Sequence, residues 1–511
     1  MPQDTIFEVF ADRVKAHPEA PAIIGQGERV SYGALHTRAL RLASGLLKRE
    51  LSSGSRIAYV GKSTVDYAAL LLACAATNIV LVVVNWRLSP AEMNIIIADS
   101  EAELLVASKE FVSLFTEAKV TAGCDVFVTG GHNVAALPAL STVEREVAVL
   151  DDASDDEPFV QLYTSGTTGL PKGVPQTHRM HLSAYRAWTA SGFGPYAVGD
   201  TVLVALPVFH TIGTNFILYA LVQGATVWLL REFDPDTVRD ALTSGNVQSV
   251  TLVPTVLAMI SEPGFFREGE PPRLNDLIYA GSCIQPKVME RVLRVFDNAR
   301  LHQVYASTET TGAGTILSNE DHRGGDHLWA SAGRTMPGYE ITIVDEHGDM
   351  CAASTVGEVV IRGPSVYSGY WRNAAATKEV LIGDAYHTGD AGVLDERGYL
   401  TIVDRTRDMI ITGGENVYPS EVELPLSSHP AIAELSVVGL PDEKWGQLVC
   451  AFVVLRAGHA LTLEDVRGHL NPVLARYKHP RRVIAIESIP KNPTGKVLRK
   501  ALLEFAGGGA Q

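Results

Sequence analysis

Apolar, β-branched runs recur along the first two thirds of the chain and alternate with longer segments of helical texture. Arg56–Val60, Ile79–Val84, Glu103–Val106, Val202–Ala205, Thr226–Leu230 and Val247–Val253 read as short strands. Strands that are apolar at nearly every position are buried on both faces. The alternation therefore predicts an α/β unit with largely parallel sheets. From Gly338 the texture changes to short strands and turns (YEITIVDEHGD, GEVVIRGP, GVLDERGYLTIVDR), which read as antiparallel ribbons over about 338–403. After Asp404 a charged, glycine-punctuated segment, DRTRDMIITGGENVYP, leads into a basic-and-apolar final stretch. These shifts set the expected domains at 1–403 and 404–511, with the boundary at Asp404-Arg405.

One run invites a membrane reading. Tyr67–Val84 holds 18 residues without a charge. Its first half is Ala/Leu-rich and its second half β-branched, with Thr77-Asn78 between. A helix followed by a buried parallel strand fits that division better than a membrane span.

Composition narrows the class. The 511 residues are 46% apolar and 20% charged, as in an ordinary globular protein. The formal net charge of −15 disfavours a general nucleic-acid binder, which needs a basic stripe. Five cysteines lie far apart without a CxxC pair, which reads as a reduced, cytoplasmic chain. The N-terminus carries acids early and has no apolar core, so it does not read as a signal peptide. His178 and His181 lack an HExxH pattern, and no GxSxG elbow is present, so zinc-protease and serine-hydrolase readings have no support.

The most informative segment follows the strand-like run Phe159–Tyr163. It is Thr164-Ser165-Gly166-Thr167-Thr168-Gly169-Leu170-Pro171-Lys172-Gly173. Its glycines let backbone N–H groups approach a polyanion, four hydroxyls add donors, and Lys172 adds a cation. The order fits neither a Walker A loop nor a Rossmann turn. The plain alternative is a Gly/Ser/Thr surface loop.

With this segment the chain resembles the adenylate-forming superfamily, which includes acyl- and aryl-CoA synthetases, peptide-synthetase adenylation domains and firefly-type luciferases. YTSGTTGLPKG is close to that family's phosphate loop. LPVFH (206–210), AGSCIQP (280–286), YASTET (305–310), YHTGD (386–390), DRTRDMIITGGENVYPSEVE (404–423) and PKNPTGK (490–496) follow in family order. The resemblance implies a large N-terminal domain of stacked sheets with a small distorted β-barrel subdomain, followed by a small mobile α+β C-terminal domain. It implies ATP as substrate and Mg²⁺ as cofactor, with a carboxylic acid converted to an acyl-adenylate.

Roles follow from matched positions. The loop from Thr164 to Lys172 would cradle the phosphates. Gly281, Ser282, Tyr305, Ala306 and Ser307 would surround adenine, with Tyr305 stacking on it. Thr308 would touch phosphate, and Glu309 would hold Mg²⁺, an ion that favours one or two carboxylates plus phosphate oxygens. Asp390 would accept from the ribose hydroxyls, beside Ile402 and Arg405. Lys496 would offset the negative charge built up when a carboxylate attacks the α-phosphate. His210 would stand between the phosphates and the acyl pocket. Gly213, Thr214, Ser282, Ala306, Thr311 and Gly314 would line that pocket. Where the family usually has glycine after the tyrosine, this chain has Ala306, whose methyl narrows the pocket. The lining is small and neutral, which predicts an apolar, alicyclic or aromatic monocarboxylic acid.

Asp404 matches the family hinge. Gly413, Gly414, Lys444, Trp445, Tyr477, Lys478 and Arg481 resemble the CoA-contacting segments of acyl-CoA synthetases, the alternative being a charged rim. The reading is an acyl-CoA ligase with CoA as co-substrate. An amide ligase that passes the adenylate to an amine or amino acid is the second hypothesis. A sensor without activity would be expected to lose Lys496 or Glu309, and both are present. Dimers are common among such enzymes, and the sequence leaves the oligomeric state open.

Overall fold

The computed structural model describes residues 5–117, 119–120, 123–129, 154–165, 170–281, 284, 286–405, 409–490 and 497–508. Two compact units emerge. The larger comprises 1–86, 97–163 and 173–404, and the smaller 87–96, 164–172 and 405–511.

The larger unit is built on two sheets. In one, Pro21–Gly25, Thr226–Leu229, Thr201–Val204, Ser249–Leu252, Asp276–Ala280 and Arg300–Tyr305 lie side by side and parallel. The ribbons expected after Gly338 continue this same sheet, through antiparallel pairs such as Gln303↔Leu317 and Ile343↔Val359. In the other, Asp125–Val128, Leu104–Ala107, Arg56–Val60, Val80–Val84 and Pro158–Ser165 run parallel, and Pro171–Thr177 completes it.

The uncharged run divides where the sequence suggests. Thr64 Oγ1 accepts from the Tyr67 N–H at 3.1 Å and caps the helix Val65–Thr77. Asn78, at φ 51°, takes the left-handed conformation that ends it. The strand Val80–Val84 then lies fully buried in its sheet. No helix among the described residues is long and apolar enough to cross a membrane.

His178, His181 and His322 are among the histidines buried in this interior. The Ile6 N–H donates to His178 Nδ1 at 3.2 Å, so Nε2 carries the proton and donates to Asn78 Oδ1 at 2.9 Å. The ring stacks on Phe159 with centroids 4.4 Å apart. His181 Nδ1 lies 3.1 Å from the Tyr185 hydroxyl, whose own proton goes to the Asn215 carbonyl. Burial pushes both imidazoles down to about 3, and that of His322 to about 4.

The smaller unit carries a five-stranded sheet with Glu415–Val417, Ile410–Thr412, Gly446–Leu455, Ile432–Asp442 and Arg482–Ala485. The helices Pro419–Leu426 and Leu463–Leu470 cover it through Val422, Leu426, Val466 and Leu470. At the helix Pro419–Leu426 lies a buried ion cluster. Lys478 Nζ donates to Glu92 Oε1 and Glu421 Oε2, each at 2.7 Å, and Lys478 is only 4% exposed. Glu92 Oε2 also accepts from the Ala475 N–H at 2.8 Å. Burial alone would lower the ammonium's pKa. The two carboxylates, each in direct contact with it, outweigh this and hold the ammonium charged.

The buried imidazoles and the buried ammonium each set a measurable property. The three histidines are neutral in the fold but titrate near 6.5 when unfolded, so their contribution is present above that pH and is lost as pH falls toward 3–4. Stability is expected to drop by roughly 3–4 kcal/mol between pH 7 and 5.5 from these groups alone. Urea midpoints at the two pH values measure this, and His181→Phe should flatten the slope by about a third. Lys478→Met leaves two buried carboxylates facing each other and should destabilise by about 3–5 kcal/mol. Adding Glu92→Gln and Glu421→Gln to it should recover most of the loss in the same denaturation assay.

Candidate active site

The strand Arg300–Tyr305 delivers its C-terminal end to a tight turn. Tyr305, Ala306, Ser307 and Thr308 are half-buried there, and Glu309 is 6% exposed. Thr308–Thr310 form one 3₁₀ turn, and Thr311 (φ 53°) and Gly312 (φ 82°) reverse the chain. Gly314 must lack a side chain, because a Cβ would stand 2.5 Å from the Tyr305 carbonyl oxygen.

Five consecutive carbonyls of this turn are each engaged by a donor from elsewhere. Gln176 Nε2 bonds Thr308 O at 2.9 Å, and the Tyr367 N–H bonds Glu309 O at 2.9 Å. Ser365 Oγ bonds Thr310 O at 2.6 Å, and Asn215 Nδ2 bonds Thr311 O at 2.7 Å. Trp188 Nε1 bonds Gly312 O at 2.9 Å. None of these donors stood out in the sequence.

The turn presents Glu309 inward. Tyr370 donates to Glu309 Oε1 at 2.8 Å. Burial, then the Glu309 charge, raises the Tyr370 phenol far above its ordinary value, so it stays a donor. Glu309 forms no ion pair among the described residues. A buried carboxylate in that condition favours a cation. Among the described residues no three His, Cys, Asp or Glu side chains form a ready metal cluster. Glu309 therefore suits an ion whose other ligands come with the substrate.

Two residues from separate motifs meet here. Tyr305 donates to Asp390 Oδ2 at 2.7 Å. Asp390 is set by its own strand, Ala385–Leu394: its N–H donates to Thr388 Oγ1 at 3.0 Å, and Thr388 Oγ1 donates to Val359 O at 2.8 Å. Ile402 packs with Tyr305 on one small core. Gly281 (φ 100°) ends the strand Asp276–Ala280 and is exposed.

His210 caps the helix Thr211–Gln223 and lies half-buried against Phe209, ring centroids 4.6 Å apart. Only glycine fits at 213, where a Cβ would be 2.1 Å from the Pro207 carbonyl oxygen. Thr214 is fully buried: its hydroxyl donates to Val208 O at 2.6 Å and so accepts from Tyr67 at 2.6 Å. Thr211 Oγ1 and Asn215 Oδ1 are buried without partners among the described residues.

The residues assigned to the second nucleophile separate into two groups. Gly413 (φ 60°) and Gly414 (φ 82°) turn a hairpin between Ile410–Thr412 and Glu415–Val417. The Gly413 N–H bonds Trp445 O at 2.8 Å. Arg481 lies over the Trp445 ring, 3.8 Å from its centroid, and Lys444 Nζ is 5.2 Å away. Tyr477 and Lys478 belong instead with the buried ion cluster. Thr164 is half-buried and Lys172 is buried. Gly166, Thr167, Thr168, Gly169, Ser282 and Lys496 lie outside the described residues, as do the side chains of Ser165, Asp404 and Arg405.

Known proteins match along the whole of this framework. The AMP-binding enzyme family matches residues 10–371, and the AMP-binding enzyme C-terminal domain matches 421–496. The fatty acid–[acyl-carrier-protein] ligase ScoC of Streptomyces coeruleorubidus is 36% identical over 503 residues, 98% of this chain and 96% of that one. A long-chain-fatty-acid–CoA ligase of Mycobacterium tuberculosis is 32% identical over 483 residues, 93% of each chain. The solved amide bond synthetase McbA of Marinactinospora thermotolerans superposes with a TM-score of 0.87 at 29% identity, over 97% of this chain and 99% of that one. The chain belongs to the AMP-binding enzyme family and is one of its ligases.

Proposed function

We propose that this ligase joins a carboxylic acid to AMP and then transfers the acyl group to CoA. In the first step a carboxylate oxygen attacks the α-phosphorus of ATP, and pyrophosphate leaves. In the second the CoA sulfur attacks the acyl carbon, its proton is lost, and AMP leaves. The observation that carries the reading is Glu309, a buried carboxylate held by Tyr370 and in no ion pair among the described residues, at the end of the strand whose Tyr305 meets Asp390.

In this reading Tyr305 packs on adenine, with Gly281, Ser282 and Ala306 around it. Asp390 accepts from the ribose, with Ile402 and Arg405 beside it. Thr164 to Lys172 and Thr308 hold the phosphates. Glu309 holds Mg²⁺, which when bound neutralises phosphate charge. Lys496 adds a positive charge at the α-phosphate. The acid lies between His210 and Ala306. Asp404 is the hinge between domains 1–403 and 404–511. The location is the cytoplasm, where ATP and CoA are at hand.

A second acceptor has specific support. Lys478 is committed to Glu92 and Glu421, and the Trp445 ring is already contacted by Arg481 and close to Gly413. Both features reduce what is free to hold the phosphates and adenine of CoA. An amine acceptor needs neither, which favours the amide ligase as the alternative.

Acid-dependent exchange of labelled pyrophosphate into ATP tests the first step. Glu309→Gln and Lys496→Ala are each expected to lower it by ~10²–10³, with melting temperatures unchanged by more than a few degrees. No exchange with any of a broad set of acids would defeat the reading. Preformed acyl-AMP offered CoA, a phosphopantetheinyl carrier protein or amines, followed by product mass, assigns the acceptor; an acyl-CoA is the expected product.

A further inference from the structure

Partial exposure around His210 gives way to full burial within a few residues. His210, Ile212, Ala306 and Gly312 keep partial solvent access, whereas Thr214, Asn215, Thr311 and Ala313 are fully buried. Behind Gly312 stands Trp188, 2% exposed, on the helix His178–Ala190. A Cβ at Gly312 would lie 3.1 Å from Trp188 Cζ2 and 3.3 Å from Asn215 Nδ2. The indole edge is thus in the layer of atoms next to the last accessible residue.

We propose that Trp188 is the end stop of the acid pocket and restricts this ligase to compact acids of about one ring, excluding long aliphatic chains. The inference rests on the acid-activating reading above and deepens it by naming the substrate class and the residue that sets it. Trp188 is a fixed wall, not a gate. Its Nε1 donates to the Gly312 carbonyl at 2.9 Å, so swinging the ring aside would strip a buried carbonyl of its donor. The indole stacks on Phe216 with centroids 5.2 Å apart at 22°. Phe193 and Tyr219 pack on it at 5.4 and 5.3 Å, the latter edge-on. Four aromatic rings that interlock in this way have one low-energy arrangement. On this placement an extended acyl chain leaving the carboxylate near His210 would meet this wall, whereas a flat or alicyclic ring would stop short of it. Gly312 contributes by absence: a Cβ there would press on Trp188 and Asn215.

The test compares kcat/KM for pyrophosphate exchange across benzoate, cyclohexanecarboxylate, octanoate and dodecanoate. The unmodified enzyme should favour the ring acids over dodecanoate by more than about tenfold, within the range that apolar pockets achieve. Trp188→Ala should raise dodecanoate relative to benzoate by a similar factor. Trp188→Leu, which keeps an apolar filler, should move the ratio part of the way and guards against an alanine variant that fails to fold. Dodecanoate used as well as benzoate by the unmodified enzyme would overturn the inference while leaving acid activation intact. A ratio unmoved in a folded Trp188→Leu or Trp188→Ala enzyme would also overturn it. Absence of exchange with every acid would instead count against the function proposed above.

Discussion

The constraint on which the site depends is the clamping of one turn. Between Thr308 and Gly312 the chain folds back through two consecutive left-handed residues, a shape that does not persist unaided. It is held because every carbonyl in the turn bonds a donor brought from another element: Gln176, Tyr367, Ser365, Asn215 and Trp188. These donors come from a strand, two helices and a loop. The turn therefore reports the correct assembly of much of the larger unit. Its product is a carboxylate, Glu309, buried at a fixed position where a charge would otherwise be avoided. Fixing such a group before substrate arrives is the basis of electrostatic catalysis, since no reorganisation is needed at the moment of reaction.

The parts that were legible in the sequence are those with local signatures. The parallel strands read as uninterrupted apolar runs because both faces are covered. The division of Tyr67–Val84 was visible in the switch from Ala/Leu to β-branched residues at Thr77-Asn78, and the capping of Val65–Thr77 confirms its cause. The glycine-rich loop, Glu309 and Asp390 stood in recognisable strings. The clamp was invisible because its donors act across 55 to 132 positions of chain and obey no period. Gln176 and Asn215 are ordinary polar residues on apolar elements until their partners are known. Trp188 carries no signal in the sequence that sets it apart from other aromatics, and its second duty lies in a single N–H.

Basic residues were the least readable. In the run Arg476 to Arg482, composition suggests a solvated or phosphate-binding surface. Lys478 is instead buried between Glu92 and Glu421, which lie 386 and 57 positions away. Arg481, three residues on, lies over Trp445. Neighbouring cations in sequence thus serve different ends, and only burial tells them apart. A buried cation with two carboxylates adds little net stability compared with an apolar filler, but it allows one arrangement of the three elements that supply it.

The three matched ligases bear on how the two half-reactions are divided. Their names specify a carrier protein, CoA and an amide as the destination, yet each aligns with at least 93% of this chain. A framework that accommodates such different acceptors must keep adenylation independent of the acyl transfer that comes after it. Here the clamped turn, the Tyr305–Asp390 contact and the Trp188 wall all lie within the larger unit and need nothing from Gly413, Lys444 or Arg481. On the proposals above, acid selection would be a property of rigid packing around Gly312, and acceptor selection a property of a few side chains around Trp445. The two can change separately. For this reason, family membership fixes the first reaction far more tightly than the second.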